Sequence, residues 1–205
     1  MLQSLFCQRK IEPALTLLLA TGASVLMLAG AMTMAPAAPK PTTSPAPAAT
    51  AGLKSADGKD VGTVTLTQTP SGVRLRLALK GLPPGEHAFH VHGVGKCDPP
   101  FTSAGPHFNP EQKKHGLKSQ EGHHAGDMPN VTIPANGNLT LTVVNKDITL
   151  EKGKPNSVFQ DGGTALVIHA NKDDEVTDPA GNAGDRIACG VIVESASTAG
   201  NAPAR

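Results

Sequence analysis

VGTVTLTQTPSGVRLRLALK, residues 61–80, decides the fold. Apolar and polar side chains alternate through Val61 to Gln68 and again through Val73 to Lys80, and Thr69-Pro70-Ser71-Gly72 separates the two runs. A period of two places alternate residues on opposite faces of an extended chain, so two such runs joined by a Pro/Gly turn predict an antiparallel hairpin. Similar short runs follow at 86–92, 129–133, 138–144, 147–150, 164–169 and 187–193, and none has helical spacing. The expected fold is all-β, an antiparallel sandwich or flattened barrel of eight strands. The Gly- and Pro-bearing stretches 93–128 and 170–186 exceed the length of ordinary turns, which marks them as functional loops.

The rest of the chain bounds what this domain is. Its 205 residues, 39% hydrophobic, suffice for one globular core, which must be aliphatic because there is no Trp or Tyr and only five Phe. A net charge of +1 and the lack of stacking aromatics exclude a nucleic-acid partner. Residues 1–35 carry Arg9 and Lys10, a long apolar stretch and then small residues, which is the pattern of a signal peptide or an uncleaved N-terminal membrane anchor. Residues 36–52 are rich in Pro, Ala and Thr and read as an extended linker. The folded domain is expected over 53–195, with 196–205 a disordered tail. Once the leader is set aside two cysteines remain, Cys97 and Cys189. An even pair in an exported chain predicts one disulfide, the alternative being two buried thiols.

All eight histidines lie between positions 87 and 169, seven of them between 87 and 124. In a strand over 86–92, His90 and His92 leave one face while Phe89 and Val91 enter the core on the other. His107, His115, His124 and Asp127 follow in the first long loop, three nitrogens and a carboxylate oxygen that suit tetrahedral zinc. His123 adjoins His124, but the three-residue step to Asp127 favours His124. His169 ends the apolar run TALVIH, where a buried imidazole requires a partner.

GEHAFHVH (85–92), SAGPHFNP (103–110), the steps of 8, 9 and 3 residues from His107 to Asp127, ALVIHANKDD (165–174) and GNAGDRIACGVI (181–192) together resemble the copper/zinc superoxide dismutases, over roughly residues 61–194. The resemblance implies a Greek-key, immunoglobulin-like β-barrel binding one copper and one zinc per chain. Copper would be held by His90, His92, His107 and His169, and zinc by His107, His115, His124 and Asp127, with His107 shared. Superoxide would be converted to oxygen and hydrogen peroxide by alternation of Cu(II) and Cu(I), with His107 passing a proton and Arg186 attracting the anion. Asp173 would join His90 to His115. With the leader pattern, the resemblance implies an exported enzyme of the periplasm, cell envelope or extracellular space, associated with membrane only through a retained N-terminus. It also implies a homodimer, although the aromatic contacts of the bacterial dimers have no counterpart here. The alternative is a copper/zinc carrier or store on the same fold.

Phe101 stands where animal-type members have their cysteine, whereas Cys97 lies nearer the HVH strand, as in bacterial members. The 16 residues between His169 and Arg186 include Asp173, Asp174, Glu175, Asp178 and Asp185 against a single Lys172, a charge that repels superoxide. Steering is therefore expected from Lys96, Lys113, Lys114 and Lys118. Asn130-Val-Thr and Asn138-Leu-Thr would be glycosylation sequons in a eukaryotic source.

Overall fold

The computed structural model describes residues 48–195. The leader or anchor, most of the linker and the tail read from the sequence lie outside them. Among the described residues no helix is long and apolar enough to cross a membrane.

The opening hairpin forms as read: β2 (Asp60–Thr69) pairs β3 (Gly72–Leu79) in continuous register from Gly62↔Leu79 to Thr69↔Gly72. Val64, Leu66, Val73, Leu75 and Leu77 are fully buried, while Thr65, Arg74 and Arg76 stand outside. Before them runs β1 (Ala48–Ser55), which pairs β2 from Ala48↔Thr67 to Lys54↔Asp60. This corrects the linker reading of 36–52: Ala48–Gly52 belong to a strand. Its inward positions Ala49, Ala51 and Leu53 are fully buried. Ala48, Ala49, Thr50, Ala51 and Gly52 have too little bulk to stand out from a Pro/Ala tether, and β1 is held chiefly by ladders to its neighbours rather than by large side chains.

The run 85–92 divides at Ala88 into β4 (Gly85–His87) and β5 (Phe89–His92). β4 pairs β6 (Val131–Ile133), and β5 pairs β8 (Ala165–His169). β7 (Leu139–Asn145) pairs β3. β9 (Arg186–Val191) lies between β8 and β1, and β10 (Val193–Glu194) also pairs β1. The main sheet therefore runs β5-β8-β9-β1-β2-β3-β7, with β4–β6 a separate pair. The sheet curls, and the non-consecutive partners β3/β7 and β5/β8 are the crossovers of a Greek key. Of the eight expected strands, the one at 147–150 is not formed. The Asn145 side-chain oxygen instead accepts the N–H groups of Asp147 and Ile148, turning the chain, and Gln68 Oε1 accepts the Leu150 N–H.

Phe89 and Val91 enter the main core with Leu66, Leu75, Leu166 and Ile168. A second cluster, Phe101, Ala104, Ala165, Val167 and Cys189, packs the segment after Cys97 onto the outer face of β8 and β9. β8 is consequently buried on both faces, which explains its unbroken apolar run. Cys97 and Cys189 are joined in the expected disulfide, with a sequence separation of 92.

Candidate metal centre

The pleat of β5 carries His90 and His92 to the face opposite Phe89 and Val91, and both imidazoles are fully buried. His169, at the end of β8, comes beside them: His92 Nε2 and His169 Nε2 are 3.3 Å apart. Three backbone hydrogen bonds lace the first long loop against β5. The Phe108 N–H donates to Val91 O, the Val91 N–H to Gly126 O and the Gly93 N–H to Pro106 O. These set His107 against the β5 pair, with its ring centroid 4.0 Å from that of His90.

His107 faces two clusters. Its Nδ1 is 2.9 Å from Asp127 Oδ1 and 3.4 Å from His124 Nδ1, while His115 Nδ1 and His124 Nδ1 lie 3.2 and 3.4 Å from the same Asp127 oxygen. Four donors around one ion at about 2.0–2.1 Å have edges of about 3.3 Å in a tetrahedron, so this set fits zinc. On its other side His107 Nε2 is buried with no protein partner, as is His90 Nδ1. Orphaned buried nitrogens are costly unless something binds them. With His92 and His169 they offer four donor atoms, all within 4.8 Å of one another, a nitrogen set suited to copper.

A third group, His90, His115 and Asp173, has a different character. Asp173 Oδ2 is 2.8 Å from His90 Nε2 and Oδ1 is 3.0 Å from His115 Nε2. One carboxylate accepts the outer N–H of a ring from each cluster, which leaves both Nδ1 atoms free to face inward. Gly181 makes room for it. Its φ of 61° suits glycine, and a Cβ there would overlap the Asp173 carboxylate.

Electrostatics follow from this packing. Burial lowers the His107 pKa to about 4, against the pull of Asp127, and lowers that of His169 to about 3, with the neighbouring His90 adding to the effect. Burial, then the charge of His107, pushes His92 down as well. These rings are neutral near pH 7 and present lone pairs. For His115 burial acts downward but is outweighed by Asp127 and Asp173, which raise it to about 9. Zinc must displace that proton, so uptake strengthens as pH rises toward 9. In Asp127 and Asp173 burial acts upward, yet the histidine contacts hold both carboxyls well below the usual range.

His92, His107 and His169 open on a cleft of about 710 Å³ that Arg186 also lines. The guanidinium is held in place by donation from Nη1 to Phe101 O at 2.6 Å and from Nη2 to Gly105 O at 2.7 Å. Of the four lysines expected to steer, Lys113 alone lines this cleft, and it also pairs with Glu111 at 2.6 Å. Lys118 is paired with Glu175 at 2.8 Å and Lys114 with Asp178 at 3.5 Å. Asp178, which sequence reasoning counted only as a loop charge, accepts the His115 N–H and lines the cleft.

His87 and His123 stand apart from both clusters. His87 is buried between two carbonyls, with Nδ1 2.8 Å from His169 O and Nε2 2.9 Å from Pro83 O, and His123 pairs with Asp147.

A family model, copper/zinc superoxide dismutase, matches residues 61–192. The chain belongs to the copper/zinc superoxide dismutase family. It is 58% identical to the Cu-Zn superoxide dismutase 1 of Aquifex aeolicus over 137 residues, which are 66% of this chain and 81% of that one. Against the Cu-Zn superoxide dismutase of Caulobacter vibrioides it is 45% identical over 148 residues, 70% and 84% of the two chains. Among solved structures, a SOD-like protein from Bacillus subtilis superposes with a TM-score of 0.68 at 35% identity, covering 70% of this chain and 97% of that one. The matched region contains every candidate ligand, Asp173, Arg186 and both cysteines.

Proposed function

We infer that this chain is a superoxide dismutase that uses copper and zinc: two superoxide anions and two protons yield one dioxygen and one hydrogen peroxide. The observation that carries this reading is His107, whose two ring nitrogens each belong to one of two adjoining donor sets beside a cleft containing an arginine.

His90, His92, His107 and His169 would hold copper, and His107, His115, His124 and Asp127 would hold zinc. Copper, when bound, supplies the one-electron exchange that zinc cannot. The chain's own residues do the rest. Arg186, fixed by two carbonyls, offers its remaining N–H groups and its charge to a small anion entering the cleft. His107 Nε2, buried without a protein partner in a ring that lines the cleft, is the nitrogen placed to hand a proton to the reduced substrate. Asp173 fixes the orientation of His90 and His115, and zinc with Asp127 would order the first long loop.

Export to the cell envelope is the reading that fits the Cys97–Cys189 disulfide together with the apolar leader pattern. There the enzyme meets outside superoxide, an anion that crosses membranes poorly. A homodimer draws no argument from exposed apolar side chains, which among the described residues are the scattered Leu117, Val144, Val176 and Val193.

Stopped-flow dismutation on protein of measured metal content tests this reading. Arg186→Ala should lower kcat/KM by roughly tenfold or more, and Lys113→Glu should lower it less and weaken its salt dependence. A loaded wild-type protein without turnover would support the carrier or store instead, and unchanged kcat/KM in Arg186→Ala would remove the arginine from the anion's path.

A further inference from the structure

Asn130 belongs to neither donor set, yet it controls the carboxylate that joins them. It precedes β6 and is half-buried; its Nδ2 donates to Asp173 O at 2.8 Å, and its Oδ1 accepts the Asp173 N–H at 2.8 Å. One carboxamide thus holds both backbone groups of a single residue 43 positions away. A carboxamide presents a donor and an acceptor side by side, whereas a carboxylate accepts only. The Asp173 side chain has few torsions, so fixing its backbone fixes its oxygens, Oδ2 on His90, Oδ1 on His115 and on the Glu175 N–H. The other end of the link is equally firm. Asn130 leads directly into β6, β6 pairs β4, and β4 continues through Ala88 into the strand that carries His90.

We propose that Asn130 is a positioning residue for the metal centre: its carboxamide clamps Asp173 so that one carboxylate sets the inward-facing nitrogens of His90 and His115 together. The proposal rests on the reading of Asp173 given above. It also decides between two uses of one atom. N-glycosylation at Asn130-Val131-Thr132 would place a sugar on the half-buried Nδ2 that donates to Asp173 O and leave it a single N–H, so this sequon is expected to serve the fold rather than carry a glycan, whereas Asn138 is exposed.

The test is the rate at which zinc passes from copper- and zinc-loaded protein to a chelator, with proton NMR of the His90 and His115 ring N–H groups. Asn130→Ala should release zinc about tenfold faster, the lower end of what outer-layer partners of metal ligands contribute, and its ring N–H protons should exchange faster with water. Asn130→Asp keeps the acceptor for the Asp173 N–H and loses the donor, so it should also release zinc faster; it serves if the alanine variant does not fold. Asn156→Ala removes a similar bond, to Asp147 O, away from the centre, and should release zinc at the wild-type rate. If both Asn130 variants match wild type while Asp173→Ala is faster, the positioning role is wrong. If Asp173→Ala also matches wild type, the Asp173 reading falls, and the role of Asn130 with it.

Discussion

Replacing His107 with alanine is expected to abolish dismutation and to weaken both metals at once, each by at least about 100-fold, the upper end of what even an outer-layer partner contributes. Two donor sets lose a member through one substitution, Nδ1 from the zinc side and Nε2 from the copper side. Asp127 Oδ1 also loses the ring that stands 2.9 Å away and is left a less compensated buried carboxylate. Elemental analysis of purified His107→Ala beside His124→Ala and His169→Ala separates this from general damage. His124→Ala should deplete zinc first and His169→Ala copper first, whereas His107→Ala should deplete both. Full zinc retention in His107→Ala would mean that the ring is not shared.

Removing the disulfide is the second large effect. The Cys97–Cys189 bond closes a loop with a separation of 92 residues, and in the chain-entropy picture such a bond stabilises by about 4–5 kcal/mol. For a domain of this size the Cys97→Ser/Cys189→Ser double variant should therefore melt about 10–15 °C lower in calorimetry. Activity below the transition should fall as well. The segment that follows Cys97 packs its Phe101 and Ala104 on β8 and β9, and it presents Phe101 O and Gly105 O to Arg186. A double variant that melts with the wild type and keeps its kcat/KM would show that packing of this segment, not the covalent link, holds the arginine.

What was legible in the sequence was whatever a local period or a fixed step could carry. The alternation in β2 and β3 gave the hairpin, and the spacing of His90 and His92 about Val91 gave one face of imidazoles over a core of Phe89 and Val91. The steps through His107, His115, His124 and Asp127 named a set that the first long loop does bring together. Illegible features depended on distant partners. β1 looked like tether because alanines suffice where ladders on neighbouring strands supply the holding. Residues 147–150 had strand composition, but Asn145 and Gln68 claim their N–H groups. The lysines looked equivalent until Glu175 and Asp178 were found on Lys118 and Lys114. Asn130 carried a sequon as its only local signal, while its partner Asp173 stands 43 residues on.

Whether one imidazole joins the two metal sites is read out by paramagnetic resonance on protein loaded with Cu(II), with and without Co(II) in place of zinc. Two paramagnetic ions on opposite nitrogens of the same His107 ring couple by exchange through it. Copper-only protein should show an ordinary Cu(II) signal, and filling the second site with Co(II) should suppress that signal. A Cu(II) signal that persists unchanged at full Co(II) occupancy would contradict the shared ligand and with it the account of this centre.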